Sequence, residues 1–308
     1  MLRTLKSDAL LMLTATIWGF AFVAQRMGME HLGPFTFNGV RFALGSLSLV
    51  PLVLLKRRHP SAAAALVPSA DGRTILWGGV LAGVALFMGA SLQQAGLVYT
   101  TAGNAGFITG LYVVIVPLLG LFWKQRPDLG TWAGAVLAAV GLYLLSVTAA
   151  FRIAFGDLLV LVGAFFWALH VLIIGWLSPR IESVLLACIQ FAVCALLSLI
   201  TAAALETATP AAVMAAALPI LYGGLLSVGV AYTLQVVAQR DARPAHAAII
   251  LSLESVFAAL GGWLLLGEIL TGRALLGCSL MMAGMLLSQL HAFVFRQKRL
   301  DSLPAAGA

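Results

Sequence analysis

Charged side chains are scarce in this sequence of 308 residues. Only 9% of the residues are Asp, Glu, Lys or Arg, whereas 62% are apolar. An ordinary soluble domain is roughly 25% charged and about 45–50% apolar. Because a soluble fold needs a polar shell, this composition excludes a soluble enzyme, a nucleic-acid-binding protein and a disordered chain.

Residues suited to catalysis or metal binding are also few. The three cysteines lack metal-ligand spacing, and we expect them to be small apolar fillers. The motifs HExxH, GxGD and GxSxG are absent, and so is a Walker motif. The sequence therefore argues against an intramembrane enzyme and against an ATP-driven pump made of this chain alone. We expect no cofactor and no nucleic-acid partner.

Long apolar stretches dominate the sequence instead. A helix needs about 20 mostly apolar residues to span a membrane. Stretches of this kind lie at approximately 8–25, 35–55, 74–95, 101–123, 129–148, 156–177, 183–204, 213–236, 244–266 and 272–295. They lack the alternation that is typical of a membrane β-barrel. The sequence predicts an all-α integral membrane protein with ten transmembrane helices.

The distribution of Lys and Arg predicts the orientation of these spans. With the N-terminus inside, 14 of the 18 Lys and Arg residues lie on the inner side and only Arg26, Arg152 and Arg273 lie on the outer side. Positive residues favour the cytoplasmic side of a membrane. The first apolar stretch has full span length and no cleavage site, so it is interpreted as the first span. We expect both termini in the cytoplasm and the chain in the cell inner (plasma) membrane.

The second half of the chain repeats the first. At an offset of 149 residues Asp8 aligns with Asp157 and Trp18 with Trp167, and glycine pairs align at offsets of 145 and 143. Each half holds five spans, and an odd number places the two halves in inverted topology. Inverted five-helix repeats are typical of secondary transporters, whose substrate binds near the bilayer midplane between the halves. A channel could also arise by such a duplication.

Several segments resemble the EamA-type family of the drug/metabolite transporter superfamily. They are Trp18-Gly19-Phe20, the stretch 102–107 (AGNAGF) followed by Pro117, and the stretch 252–260 (SLESVFAAL) followed by Gly267-Glu268. The resemblance covers two copies of the family unit, at 12–147 and 156–290. It implies a ten-helix inner-membrane carrier, often an exporter of amino acids, other small metabolites or drugs. It also implies a central cavity lined by spans 1, 3, 4, 6, 8 and 9. Ser255 stands where the family commonly has Pro, so the resemblance gives no reason to expect a helix break there.

Polar and aromatic residues inside the spans are the candidates for substrate binding, because each polar group there is costly to desolvate. Glu254 is interpreted as a protonatable group facing the cavity, or as a hydrogen-bonded link between two helices. His170 could bond a substrate or be a satisfied packing residue. The remaining candidates, which could equally pack or bond between helices, are Trp18, Phe22, Gln93, Gln94, Asn104, Tyr112, Trp167 and Tyr232. We expect Arg41 to snorkel to the outer surface, on a span that does not line the cavity.

The most consistent function is that of a secondary transporter of small metabolites that works by alternating access, with export preferred because of the family resemblance. The alternatives are a passive facilitator or channel and, less consistent with the sequence, an intramembrane enzyme. Few fixed charges lie in the candidate cavity, which disfavours multiply charged anions and leaves amino acids, amines and drug-like compounds. Coupling to protons and dimerisation through span 5 or 10 are left open.

Overall fold

The structure is a computed structural model that describes residues 2–58, 71–125, 127–146, 155–267, 269, 272–273, 275–277, 279–284 and 287. These residues are almost entirely helical, and no strand occurs among them. The helices are α1 (Leu2–Gly28), α2 (Pro34–Arg58), α3 (Gly72–Leu97), α4 (Ala102–Gly110), α5 (Tyr112–Phe122), α6 (Leu129–Ser146), α7 (Phe155–Leu177), α8 (Ser183–Leu205), α9 (Pro210–Ala215), α10 (Ala217–Leu221), a π-helical segment (Tyr222–Tyr232), α11 (Thr233–Ala238), α12 (Pro244–Leu251) and α13 (Glu254–Leu266).

Eight helical stretches in the described part of the chain are long and apolar enough to cross a membrane. Between 39% and 61% of the residues in each are buried against other helices, so much of the remaining apolar surface faces outward. Because soluble proteins do not present such surface on every helix, the chain is an integral membrane protein of the α-helical class.

The predicted fifth and tenth spans are less complete. The fifth is represented by α6, whose apolar part Leu129–Gly141 is shorter than a full crossing, and the tenth by a short apolar helix at Leu275–Gly284. Much of the predicted tenth span, Glu268, Cys278 and the C-terminus lie outside the described residues. Ten crossings and cytoplasmic termini therefore stay predictions.

Local sequence explains where several helices begin. Pro34, Pro210 and Pro244 each occupy the first position of a helix, where the missing N–H of proline costs nothing. The side chains of Asp71 and Thr101 accept hydrogen bonds from the backbone N–H of Thr74 and Asn104, which caps α3 and α4. These caps place the helix starts at the turn formers that separate the apolar stretches.

Two of the membrane-crossing helices are broken at their centres. The first break is at Leu111, between α4 and α5, where Leu111 N–H bonds to the Ile108 carbonyl in a tight turn. The second break is at Ser252 and Leu253, between α12 and α13. The two breaks occupy nearly equivalent places in the predicted repeats.

The second break corrects the expectation drawn from Ser255. No proline is needed, because the Ser252 hydroxyl donates to the Ile249 carbonyl at 2.8 Å and so competes with the backbone bonds of the helix. Ser255 then donates to the carbonyl of Gly106 at 2.6 Å. This bond joins the two broken helices.

The π-helical segment is the other irregular stretch. Pro219 precedes it and, lacking an N–H, cannot continue the bond pattern of the helix before it. The Trp18 indole donates to the carbonyl of Ser227 at 3.2 Å, and the Tyr222 hydroxyl donates to the carbonyl of Ile17 at 3.0 Å. π-Helical segments are rare in proteins, and those that occur are often found at functional sites. This one is bonded to the middle of α1.

Contacts at the ends of the helices sort into two sets. In one set Lys56 donates to Glu182 at 2.6 Å and His246 lies 3.0 Å from Asp8. All four residues lie at helix ends to which the Lys and Arg distribution assigns the cytoplasmic side. The first contact joins the end of α2 to the start of α8, and the second joins the starts of α1 and α12, as the predicted orientation of the spans requires.

The second set lies at the opposite ends of the helices. The Thr100 hydroxyl donates to Asp157 at 2.7 Å. The Glu206 carboxylate accepts from the backbone N–H of Phe35 at 2.9 Å and of Thr36 at 2.8 Å, and so caps the start of α2. Polar contacts thus join elements of the bundle at both ends.

Candidate substrate-binding cavity

A small cavity of about 30 Å³ lies among the helices, mid-way along their length. Its wall is built by α1, α2, α3, α4, α5, α7, the π-helical segment, α11, α12 and α13. Because these elements come from both predicted repeats, the cavity lies between the two halves of the chain.

Seven of the ten residues predicted from the sequence lie in the wall of this cavity. They are Trp18, Phe22, Gln93, Tyr112, Trp167, Tyr232 and Glu254. The helical spans that carry them are those implied by the family resemblance. The structure therefore brings these side chains together, and their contact with a substrate stays a prediction.

The other three predicted residues lie outside the cavity wall. His170 is fully buried, and its Nε2 lies 2.8 Å from Gln190 Oε1. Gln94 is buried, and its amide donates to the carbonyl of Gln25. Asn104 lies in the first turn of α4, where its backbone N–H bonds to the capping Thr101. For His170 and Gln94 the geometry is that of bonds between helices.

Five polar residues of the wall were not among the sequence candidates for substrate binding. They are Gln25, Arg41, Thr109, Ser227 and Gln235. Gln25 and Gln235 could have been found from the signal that identified Gln93, since all three are amides within the predicted apolar stretches. Only the rotation of each helix decides which amides face the cavity.

Arg41 requires a correction. The expectation that it snorkels to the outer surface is wrong, because the residue is only 2% exposed and lines the cavity. Its neighbour across the helix contact is Gly223, where an added Cβ would lie 3.3 Å from Arg41 Cδ. A glycine on the facing π-helical segment thus makes room for the arginine side chain inside the bundle.

A hydrogen-bond network centres on Gln93. Its Oε1 accepts from the Trp167 indole at 2.7 Å and from the Thr109 hydroxyl at 3.4 Å, and its Nε2 donates to Gln25 Oε1 at 3.3 Å. The four side chains come from four different helices. The network therefore ties both repeats together at the cavity wall.

Aromatic rings form the other side of the wall, around Tyr232. The ring of Tyr232 lies 4.4 Å from that of Trp18 and is stacked on that of Trp167 at 6.0 Å. Phe42 and Phe191 complete the cluster behind it, at 6.0 and 5.8 Å. These rings form an apolar surface, and the Tyr232 hydroxyl and the indole N–H groups add polar edges to it.

One acidic and one basic side chain line the same cavity. Glu254 is 4% exposed, and its Oε1 has no hydrogen-bond partner in the described part of the chain. Arg41 donates through Nε to Asn38 at 2.9 Å, and its guanidinium lies over the rings of Phe37 and Phe42. Neither residue forms an ion pair among the described residues. The cavity thus contains one acidic and one basic side chain that are not paired with each other.

Among the described residues, no group of three or more His, Cys, Asp and Glu side chains is placed to hold a metal ion. Cys194 is buried within α8, next to apolar neighbours. The amide, hydroxyl, indole and charged side chains that line the cavity can donate and accept hydrogen bonds.

Comparison with known proteins gives the same architecture. The chain superposes on a crystal structure with a TM-score of 0.73, over 96% of this chain and 99% of that one, at 17% sequence identity. It is 34% identical over 294 residues to an uncharacterized transporter of Archaeoglobus fulgidus, which covers 94% of this chain and 87% of that protein. It is also 22% identical over 290 residues to the uncharacterized transporter YoaV of Bacillus subtilis, covering 92% of this chain and 95% of that protein.

The family model of the EamA-like transporter family matches residues 5–147 and 154–290, which is nearly the whole chain. This match confirms the resemblance found in the sequence. Together with the apolar helices, it shows that the protein is a multi-pass membrane protein that belongs to the EamA-like transporter family.

Proposed function

We propose that the protein is a secondary transporter that moves amino acids, amines or drug-like small metabolites across the cell inner (plasma) membrane by alternating access. The cavity carries this proposal, because helices of both predicted repeats build its wall. A site shared by two inverted halves can be exposed to either side when the halves rock against each other. We propose export as the direction, in line with the family resemblance.

Contacts at both ends of the bundle support alternating access. Asp8 contacts His246 at one end and Asp157 contacts Thr100 at the other, and each pair joins helices of different halves. Asp8 and Asp157 are equivalent in the predicted repeat. Opening either end of the cavity would break one contact and leave the other in place.

Proteoliposome transport distinguishes a carrier from a facilitator or channel. We expect saturable uptake of at least one radiolabelled compound from a panel of amino acids and amines. Uptake should accelerate several-fold when the vesicles are preloaded with the same unlabelled compound, because a carrier returns faster with substrate bound. Vesicles without protein are the control. Uptake that neither saturates nor responds to preloading would identify a channel instead.

The two end contacts make a paired prediction. Asp8→Ala should increase the population open at the α1–α12 end, and Asp157→Ala the population open at the α3–α7 end. Loss of one hydrogen bond, worth about 0.5–1.5 kcal/mol, would change each population ratio about 2- to 10-fold. Distances between spin labels at the two ends, in a variant with its cysteines replaced by serine, report both populations. A shift in the same direction for both variants would contradict a role in alternating access.

A further inference from the structure

The side chain of Arg41 is fixed inside the bundle by its neighbours. Its Nε donates to Asn38 Oδ1 at 2.9 Å, and the Asn38 amide in turn donates to the carbonyl of Ala90 at 3.1 Å. The guanidinium carbon lies 5.5 Å from the ring centre of Phe37 and 5.0 Å from that of Phe42. One edge of the guanidinium is therefore held, whereas its two terminal nitrogens form no hydrogen bond to any described residue.

The charge of Arg41 has no anion to balance it in the described part of the chain. Among these residues no carboxylate oxygen lies within 4.0 Å of its nitrogens, and the groups that act on it electrostatically are Tyr232 and Cys194. Glu254 lines the same cavity, but neither residue is among the groups that act on the other. A guanidinium cannot lose its proton in a protein, and a buried charge without a partner is strongly unfavourable. The two aromatic rings offset only part of this cost.

The cavity beside Arg41 matches a small ion in size. Arg41 belongs to the wall of this cavity, whose volume is about 30 Å³. A water molecule needs roughly 10–15 Å³ of such volume, so the cavity has room for about two water molecules or for one ion of similar size. An organic solute enters only after the helices have moved apart, whereas a small anion fits without such a movement.

We propose that Arg41 holds a chloride ion in this cavity through its two terminal guanidinium nitrogens, and that this ion is the resident counter-ion of the buried arginine. Chloride carries one negative charge, which balances the single charge of Arg41, and it accepts hydrogen bonds from several donors at once. A doubly charged anion would replace one uncompensated charge by another of opposite sign. The inference holds whatever solute the protein transports, because the ion balances a charge of the protein itself.

The dependence of thermal stability on chloride tests the proposal. The unfolding midpoint of the purified full-length protein is measured while sodium gluconate is replaced by sodium chloride at constant ionic strength. A ligand that binds only the folded state stabilises it by mass action, so we expect a saturable rise of about 2–5 °C in chloride. Bromide should have the same effect and acetate a much smaller one.

Three outcomes of this titration would overturn the chloride site. The midpoint does not rise in chloride, or it rises without saturating, which would indicate a general salt effect. Acetate is as effective as chloride, which would assign Arg41 to the carboxylate of an organic solute instead.

Three variants locate the ion at Arg41. Arg41→Gln should remove the response to chloride. Asn38→Asp should remove it as well, because a carboxylate beside the guanidinium then balances the charge from within the protein, and this variant keeps the test valid if Arg41→Gln fails to fold. Arg180→Gln removes an exposed arginine and is the matched control, in which the response should be unchanged. A chloride response that survives in either Arg41→Gln or Asn38→Asp places the ion elsewhere and overturns the proposal.

Anomalous diffraction gives the position of the ion directly. In crystals grown with bromide in place of chloride, we expect one anomalous peak at hydrogen-bonding distance from the terminal nitrogens of Arg41. Parent crystals without this peak contradict the proposal even if chloride stabilises the protein, since the stabilisation then arises at another site. Neither measurement involves transport, so a failure of the proposed transport function would leave the chloride site intact.

Discussion

Glu254→Gln is expected to abolish the effect of an imposed pH gradient on transport. Glu254 is the one acidic side chain in the described wall of the cavity, and it is buried without an ion pair. An ionised carboxylate is costly at this buried position. We therefore expect Glu254 to release its proton only when another cation takes the place of that proton. Glutamine has the same shape but cannot titrate. Proteoliposome uptake with and without a pH gradient measures the effect.

Exchange between preloaded and external substrate should persist in this variant at a high substrate concentration, because that exchange needs no net proton movement. Asp71→Asn is the matched control. Asp71 is an exposed carboxylate that caps α3, and asparagine caps a helix equally well. Proton coupling through Glu254 would be contradicted if the effect of the pH gradient on uptake survived in Glu254→Gln or disappeared in Asp71→Asn.

Gly19→Ala is expected to destabilise the protein strongly. An added Cβ at this position would overlap the Cβ of Phe257 and lie 2.7 Å from the carbonyl oxygen of Glu254. Because backbone atoms of α13 cannot move aside as a side chain can, α1 and α13 would have to separate. Forced overpacking of this kind costs about 1–3 kcal/mol. A lower midpoint of thermal unfolding in detergent measures the loss.

Gly72→Ala supplies the comparison for this prediction. Nothing lies within 4 Å of a Cβ built at Gly72, in the first turn of α3. Alanine favours a helix by roughly 0.5–1 kcal/mol relative to glycine, so this variant should be as stable as the parent or slightly more so. Equal unfolding midpoints for the two variants would show that the close approach of α1 and α13 is not required.

These predictions rest on different levels of information. Gly19 and Glu254 both lie in segments that identify the family in the sequence alone. The sequence shows neither that Gly19 faces the backbone of α13 nor that Glu254 shares a cavity with Arg41. Those relations appear only when helices distant in the chain are packed together.

The sequence by itself determined the membrane class, the helical architecture, the family and seven of the fifteen residues that line the cavity. It could do so because long apolar stretches and family segments are local properties of the chain. The wall residues Trp18, Phe22, Trp167 and Glu254 were found in this way, as polar or aromatic groups deep inside apolar helices.

Only the tertiary structure decided the direction of Arg41 and the break at Ser252. Snorkelling to the outer surface was a reasonable expectation for an arginine near a helix end, but the space beside Gly223 lets the side chain turn inward. At the helix break the Ser252 hydroxyl bonds to a carbonyl of its own helix, and the nearby Ser255 hydroxyl bonds to the backbone of α4. The rotation of a helix and the choice of a hydrogen-bond partner depend on neighbours far away in sequence, and for that physical reason no local pattern encodes them.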